Sequence, residues 1–166
     1  MNYALLVIDL QKAFYGGYAK ESMDAASESI NAVIPYFRKT GSPILWIQHQ
    51  GEKEGVLPGT AGFELIDPLK PEPGDFRIHK EHVNSFEETE CAQILREHKT
   101  DIVVIAGFCA EYCVLSTYKG AAEEGFFPVI LKNGIASGGK EGIEMVENQA
   151  NLISHEVLQK LLAEKI

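Results

Sequence analysis

Residues 101–132, DIVVIAGFCAEYCVLSTYKGAAEEGFFPVILK, form the stretch that decides the fold. The apolar, β-branched run at 102–105 predicts a buried strand, and Gly107 is expected to break it. A helical pattern follows over about 111–124, and a second apolar run at 127–131 predicts another strand. This order of strand, helix and strand predicts a βαβ unit, in which the two strands run parallel.

The same alternation extends along the whole chain. Strands are predicted at 3–8, 44–48, 76–78, 102–106, 127–131 and 150–153. Helices are predicted at about 24–39, 87–97 and 112–124, within 136–147, and after Ser154, which suits an N-cap. We therefore expect an α/β fold, a mainly parallel, Rossmann-like sheet between two helical layers, as a single domain over residues 1–166.

Composition narrows the possible partners. The chain has 166 residues and a formal net charge of −9, and its Lys and Arg residues are scattered. Nucleic acid is therefore an unexpected partner. The N-terminus shows no basic leader and no apolar run reaches transmembrane length, so we expect a cytoplasmic protein without membrane contact.

Cys113 is the first candidate for chemistry because it lies at a predicted strand-to-helix turn. Unpaired backbone N–H groups and the positive end of the helix dipole favour an anion there, which predicts a thiol pKa below the usual value. Taken alone, a cysteine is more often a small buried hydrophobe. Cys109 lies four positions away, which matches neither a redox nor a zinc spacing, and the odd total of three cysteines argues against a disulfide framework.

Polar residues follow other predicted strands. Asp9 closes the first strand, His49 follows the second, and Lys80 follows the third. Ligands of parallel sheets bind beyond the carboxyl ends of the strands, so these side chains and Cys113 are expected to converge. A carboxylate, an ammonium and a thiol are the groups that nucleophilic acyl chemistry needs. By itself Asp9 could equally cap a turn, and Lys80 could be a solvated surface residue.

Several motifs together resemble one family, the isochorismatase-like cysteine hydrolases. They are LLVIDLQ at 5–11, PGTAGFEL at 58–65, K-x-x-x-x-S-F at 80–86, FEETECAQIL at 86–95 and GFCAEYCVLST at 107–117. The resemblance spans nearly the whole chain in order. It implies the isochorismatase-like hydrolase fold.

The resemblance also implies roles for individual residues. Cys113 would be the nucleophile, Asp9 the general base and Lys80 the third member of a triad. The peptide bond before Cys109 would be cis, and the backbone N–H groups of Cys109 and Cys113 would form the oxyanion hole. The implied activity is hydrolysis of an amide-like C–N bond in a small molecule through a thioester, because the chain retains the cysteine.

Two departures from the family pattern bear on the substrate. Nicotinamidases of the family carry a metal held by an aspartate and histidines, whereas the corresponding stretch here, WIQHQGEKEG at 46–55, offers only His49. We therefore expect no metal and no cofactor, and regard a nicotinamidase-type activity as an alternative. Ala110 and Glu111 stand where Thr-Asp is common in the family.

Position along the chain suggests which residues line the pocket, although core packing is an equal explanation for each aromatic residue. The candidates are Phe14, Tyr15, Trp46, His49, Phe108 and Tyr112. The expected partners are a small-molecule substrate and further copies of the chain in a homodimer or larger homo-oligomer, since such assemblies are common in the family. Two competing interpretations stay open: a catalytically silent binding or assembly protein on this fold, and a thiol redox protein using Cys109 and Cys113.

Overall fold

The computed structural model describes residues 1–165. Its strands are β1 (Tyr3–Ile8), β2 (Ile44–His49), β3 (Phe76–Lys80), β4 (Ile102–Phe108), β5 (Phe127–Ala136) and β6 (Leu152–Ile153). Its α-helices are α1 (Gly17–Lys39), α2 (Cys91–Glu97), α3 (Leu115–Glu123), α4 (Lys140–Glu147) and α5 (His155–Ala163). A 3₁₀ turn (Lys12–Phe14) follows β1, and a π-helical turn (Ala110–Val114) connects β4 to α3.

The six strands form one sheet in the order β3-β2-β1-β4-β5-β6, and every neighbouring pair is parallel. The chain order reverses across β1 and β4, the two central strands, so their carboxyl ends face a common crevice. The expected parallel α/β architecture is confirmed. None of the helices in residues 1–165 is long and apolar enough to cross a membrane.

Alternating side chains of β1 divide the core into two halves. Leu5 and Val7 pack in a cluster with residues of α1 and α5, whereas Leu6 and Ile8 pack with residues of α2 and α3. This alternation follows from the period of two in a strand, and both halves are apolar because helices cover both faces of the sheet. The three layers expected from the sequence are present.

Helix boundaries differ from the sequence prediction at three N-termini. Helix α3 begins at Leu115 rather than at residue 112, because the π-helical turn Ala110–Val114 precedes it. Helix α1 begins at Gly17, seven residues before the predicted start, because Ala19 and Met23 already belong to its buried stripe. Their polar neighbours obscure that stripe in the sequence. Helix α2 begins at Cys91 rather than at residue 87, because Glu88 has a φ of 53°, which an α-helix does not tolerate. The predicted Ser154 cap of α5 is confirmed, since its side chain accepts a hydrogen bond from the Val157 N–H.

Gly107 does not end β4, contrary to the sequence prediction. The strand continues to Phe108, and Gly107 pairs with Ile8 at the centre of the sheet with a φ of 123°. A Cβ atom at Gly107 would lie 2.1 Å from the backbone oxygen of Ile8. The glycine therefore permits both the unusual backbone angle and the close approach of β4 to β1, immediately before the turn that carries Cys113.

Substitution of Gly107 tests whether this close approach shapes the sheet. Gly107→Ala should lower the free energy of unfolding by about 4 kcal/mol, because strain at positive φ combines with a clash against backbone that cannot move aside. The matched control is Gly125→Ala, which has a φ of 89° but nothing within 4 Å of the added Cβ. It should cost only about 1 to 2 kcal/mol. Urea denaturation measures both, and equal losses would show that the close approach contributes nothing.

Candidate active site

The carboxyl ends of β1 and β3 bring an acid and an amine together in the interior. Asp9 directly follows β1 and Lys80 is the last residue of β3. Lys80 Nζ lies 3.0 Å from Asp9 Oδ2, and the two residues are only 1% and 2% exposed, respectively. Lys80 also donates to the backbone oxygen of His82 at 3.0 Å. In such a buried ion pair each charge offsets part of the cost of removing the other from water.

Cys113 completes a cluster of three side chains. Its Sγ atom lies 3.4 Å from Lys80 Nζ, and it occupies the π-helical turn that follows β4. Within residues 1–165, Asp9 Oδ1 is buried and accepts no hydrogen bond. The carboxylate therefore has one oxygen engaged by the ammonium and one available to accept a proton.

The resting thiol is less acidic than the sequence predicts. The pKa of the Cys113 thiol is raised to about 12, because burial, the largest cause, and the Asp9 carboxylate together outweigh the opposing effect of Lys80. Burial likewise raises the pKa of the Asp9 carboxyl, against the influence of Lys80. The predicted pKa below that of a free thiol is therefore wrong, because the helix-start argument accounts for neither burial nor the adjacent carboxylate.

The turn after β4 also carries Cys109. The Phe108–Cys109 peptide bond is cis, as the family resemblance implies. The backbone oxygen of Cys109 accepts hydrogen bonds from the N–H groups of Tyr112 and Val114, at 3.1 and 3.2 Å, so the turn is closed on itself. Cys91, Cys109 and Cys113 form no disulfide within residues 1–165, and Cys91 is fully buried in the core. Burial raises the pKa of the Cys109 thiol as well.

A cavity of about 220 Å³ opens above this cluster. Its lining residues are Asp9, Phe14, His49, Glu54, Phe108, Cys109, Tyr112 and Cys113. The rings of Phe14 and Phe108 stack with centroids 5.7 Å apart and form an apolar wall. Tyr112 is 65% exposed, so it stands at the edge of the cavity. The space suits a small, flat molecule.

Two predicted pocket residues lie elsewhere. Trp46 is fully buried in mid-strand among the residues that face α1, and its indole N–H donates to Asp75 at 2.8 Å. It is too far back along β2 to reach the strand end. Tyr15 is absent from the cavity lining, and its hydroxyl donates instead to the carboxylate of Asp24 in α1. The other four predicted residues, Phe14, His49, Phe108 and Tyr112, do line the cavity.

Sequence reasoning gave no role to Gln11 or Glu54. Gln11 is fully buried and binds the backbone of two segments: its Nε2 donates to the oxygens of His49 and Phe63 at 2.9 and 3.0 Å, and its Oε1 accepts from the His49 N–H at 2.8 Å. It therefore holds the end of β2 beside β1. Glu54 reaches the cavity from the loop after β2. Only the glycines that flank it, Gly51 and Gly55, hint at such a fold-back in the sequence.

Glu111 is a further residue whose place only the structure reveals. The Ser137 hydroxyl lies 2.9 and 2.7 Å from its two carboxylate oxygens, which ties the π-helical turn to the segment after β5. Burial raises the pKa of Glu111, but the hydrogen bonds from Ser137 and from its own backbone outweigh burial and bring the pKa below its usual range. Glu111 is therefore a carboxylate that fixes the turn of Cys113 in place.

The donor set does not fit a catalytic metal. In the part of the chain that the structure describes, no three His, Cys, Asp or Glu side chains cluster closely enough to hold an ion. His49 Nε2 has Glu54 at 4.0 Å as its acidic neighbour. A histidine and one carboxylate at this separation do not form the three-ligand set of a catalytic zinc site.

Comparison with known proteins agrees with this geometry. An uncharacterized isochorismatase family protein, YddQ of Bacillus subtilis, is 28% identical over 142 residues, 82% of this chain and 79% of the relative. The ureidoacrylate amidohydrolase RutB of Caulobacter segnis is 24% identical over 179 residues, which cover 85% of this chain and 75% of the relative. An isochorismatase-like hydrolase from Alkaliphilus metalliredigens has the same fold with a TM-score of 0.88, at 23% identity and with 97% and 99% of the chains covered.

The family itself follows from the length of the match. Residues 3–157 match the family described as the Isochorismatase domain, which is nearly the whole chain. The sheet order, the residues at the strand ends and the sequence motifs all lie inside that range. The chain belongs to the isochorismatase family of hydrolases.

Proposed function

We propose that the protein hydrolyses an amide-like C–N bond in a small molecule, with Cys113 as nucleophile and without a metal. The observation that carries this proposal is the buried contact of three groups, in which Lys80 Nζ lies 3.0 Å from Asp9 and 3.4 Å from Cys113. The relative from Caulobacter segnis, an amidohydrolase by name, supports the C–N bond as the target.

Acylation would begin with proton transfer. Asp9 accepts the thiol proton, and the Cys113 sulfur attacks the carbonyl carbon of the substrate. The oxygen becomes an oxyanion, to which the backbone N–H groups of Cys109 and Cys113 would donate. The protonated Asp9 then gives its proton to the nitrogen, the C–N bond breaks, and ammonia or an amine leaves. Lys80 keeps the buried cluster from accumulating negative charge.

Deacylation would reuse the same groups. Asp9, again a carboxylate, accepts a proton from water as the water oxygen attacks the thioester carbon. The C–S bond breaks, the acid leaves and the thiol is restored. The high thiol pKa suits this cycle, because the proton moves only when a substrate carbonyl is in place. The resting enzyme would therefore be protected from indiscriminate alkylation and oxidation.

The proposal predicts that one sulfur atom carries the activity. On a panel of primary amides and ureas, Cys113→Ala should lower release of ammonia or amine by at least about a thousandfold, because no other nucleophile lies in the cluster. Cys109→Ala is the matched control, since it removes a thiol from the same cavity but keeps the backbone N–H. The wild-type protein should hydrolyse each compound at the same rate with and without EDTA. Turnover that survives Cys113→Ala, or that depends on an added metal, would contradict the proposal, and a wild-type enzyme inactive on every compound would favour a silent binding protein.

The perturbed thiol predicts an unusual effect of Asp9→Asn. Removing the negative charge beside Cys113 while Lys80 remains should lower the thiol pKa from about 12, and iodoacetamide should modify Cys113 about tenfold faster or more at pH 8. Hydrolysis should be lost in the same variant because the base is gone. Lys80→Met should instead raise the pKa of the Cys113 thiol and slow its alkylation.

Alkylation rates against pH, with mass mapping of the modified cysteine, measure both effects, and thermal unfolding checks that each variant is folded. Slower alkylation of folded Asp9→Asn would mean that the carboxylate activates the resting thiol, contrary to this account.

A further inference from the structure

Glu54 is the acidic residue of the cavity lining that forms no ion pair with a Lys or Arg within residues 1–165. The other acid, Asp9, is balanced by Lys80 at 3.0 Å. Glu54 has a half-exposed side chain, and in residues 1–165 its ion-pair neighbour is His49, whose Nε2 atom lies 4.0 Å from the carboxylate. Since Lys80 balances Asp9 and no Lys or Arg within residues 1–165 forms an ion pair with Glu54, the lining of the cavity offers a carboxylate to a cationic ligand.

The loop that carries Glu54 is closed on itself and places this residue in the cavity lining, with its carboxylate beside His49. Residues 51 and 56 form an antiparallel bridge, with backbone hydrogen bonds of 2.9 and 3.1 Å, which closes the loop that carries Glu54. A Cβ atom at Gly51 would lie 1.9 Å from Glu54 Oε2 and 3.1 Å from His49 Nε2. Only a glycine at position 51 leaves room for the carboxylate to lie against the loop beside His49.

The remaining walls are apolar and select a different part of a ligand. The stacked rings of Phe14 and Phe108 and the edge residue Tyr112 offer flat surfaces beside Cys113. A ligand that uses all of them has a flat apolar body next to its carbonyl carbon and a positive or N–H-rich group on the side of Glu54.

We infer that Glu54 is a specificity-determining residue that selects small amides carrying a cationic group, such as an ammonium or guanidinium, on a flat apolar body. This inference rests on the proposed function only in taking the substrate to be an amide. The charge preference of the cavity is independent of it. An anionic substrate would approach a half-exposed carboxylate that no Lys or Arg within residues 1–165 balances, and like-charge repulsion would disfavour its binding.

Charged thiol reagents test this preference without any turnover. Three methanethiosulfonates that transfer a trimethylammonium-ethyl, a sulfonatoethyl or a methyl group would be reacted with the protein, and tandem mass spectrometry would follow modification of Cys113. The measured quantity is the ratio of the cationic to the anionic rate constant, each normalised to the neutral reagent. A change in thiol pKa cancels in this ratio because all three reagents attack the same sulfur.

Wild-type protein should prefer the cationic reagent, and Glu54→Gln should lower the ratio about tenfold at low ionic strength, because each charged reagent shifts about threefold in opposite directions. Gly51→Ala should lower it similarly, since the new Cβ displaces the carboxylate and leaves the charge on the chain. Glu52→Gln is the matched control: it removes the same charge from an exposed neighbour that does not line the cavity, and should leave the ratio nearly unchanged.

If Glu52→Gln and Glu54→Gln lowered the ratio equally, the preference would reflect the net charge of the protein, and the inference would be overturned. A wild-type ratio near one would overturn it as well. A second experiment uses amide substrates and measures ammonia release from 4-(aminomethyl)benzamide and from 4-(hydroxymethyl)benzamide. The aminomethyl compound should have the higher kcat/KM with the wild-type protein but not with Glu54→Gln. If neither benzamide is hydrolysed but the reagent ratio still responds to Glu54→Gln, the result would count against the proposed amidase activity and support the charge selection by Glu54.

Discussion

The buried contact between Asp9 and Lys80 is the constraint on which the rest of the site depends. Removing both charges from water costs several kcal/mol per ion, and the 3.0 Å contact offsets this cost only if neither side chain can drift away. The ends of two strands of one sheet supply that rigidity, and Gln11 holds the strand between them in place. Burial and the Asp9 carboxylate outweigh Lys80 and raise the pKa of the Cys113 thiol, so the ion pair places a proton acceptor and an ammonium beside a protonated thiol.

The fold was predictable where a single physical pattern decides the outcome. Apolar runs alternating with helical stretches lead to a covered parallel sheet, because both faces of such a sheet must be buried. Boundaries were less predictable, since they depend on contacts with distant segments. Gly107 looks like a strand breaker in the sequence, but the neighbouring backbone of Ile8 turns it into the residue that allows close strand pairing. The early start of α1 depends on small residues such as Ala19 that become buried only once the sheet exists.

The candidate site was predictable to the extent that strand ends converge. That rule, with the family resemblance, selects Asp9, Lys80 and Cys113, and the structure brings the three into contact. It applies to the end of a strand, and Trp46 was misplaced because it lies in the middle of β2, too far from that end to reach the cavity. It cannot reveal a loop residue that folds back, as Glu54 does. The predicted direction of the Cys113 pKa shift was wrong for a related reason, because burial and neighbouring charge are properties of the assembled site.

The central claim is that hydrolysis passes through an acyl group on Cys113, and trapping with hydroxylamine tests it most directly. An amide and an ester of the same acid would be hydrolysed at one fixed hydroxylamine concentration, and the ratio of hydroxamate to free acid would be measured for each. A common thioester predicts the same ratio for both substrates, because the leaving group departs before hydroxylamine and water compete. A ratio that differs between amide and ester would mean that water attacks the substrate directly, and would contradict the account.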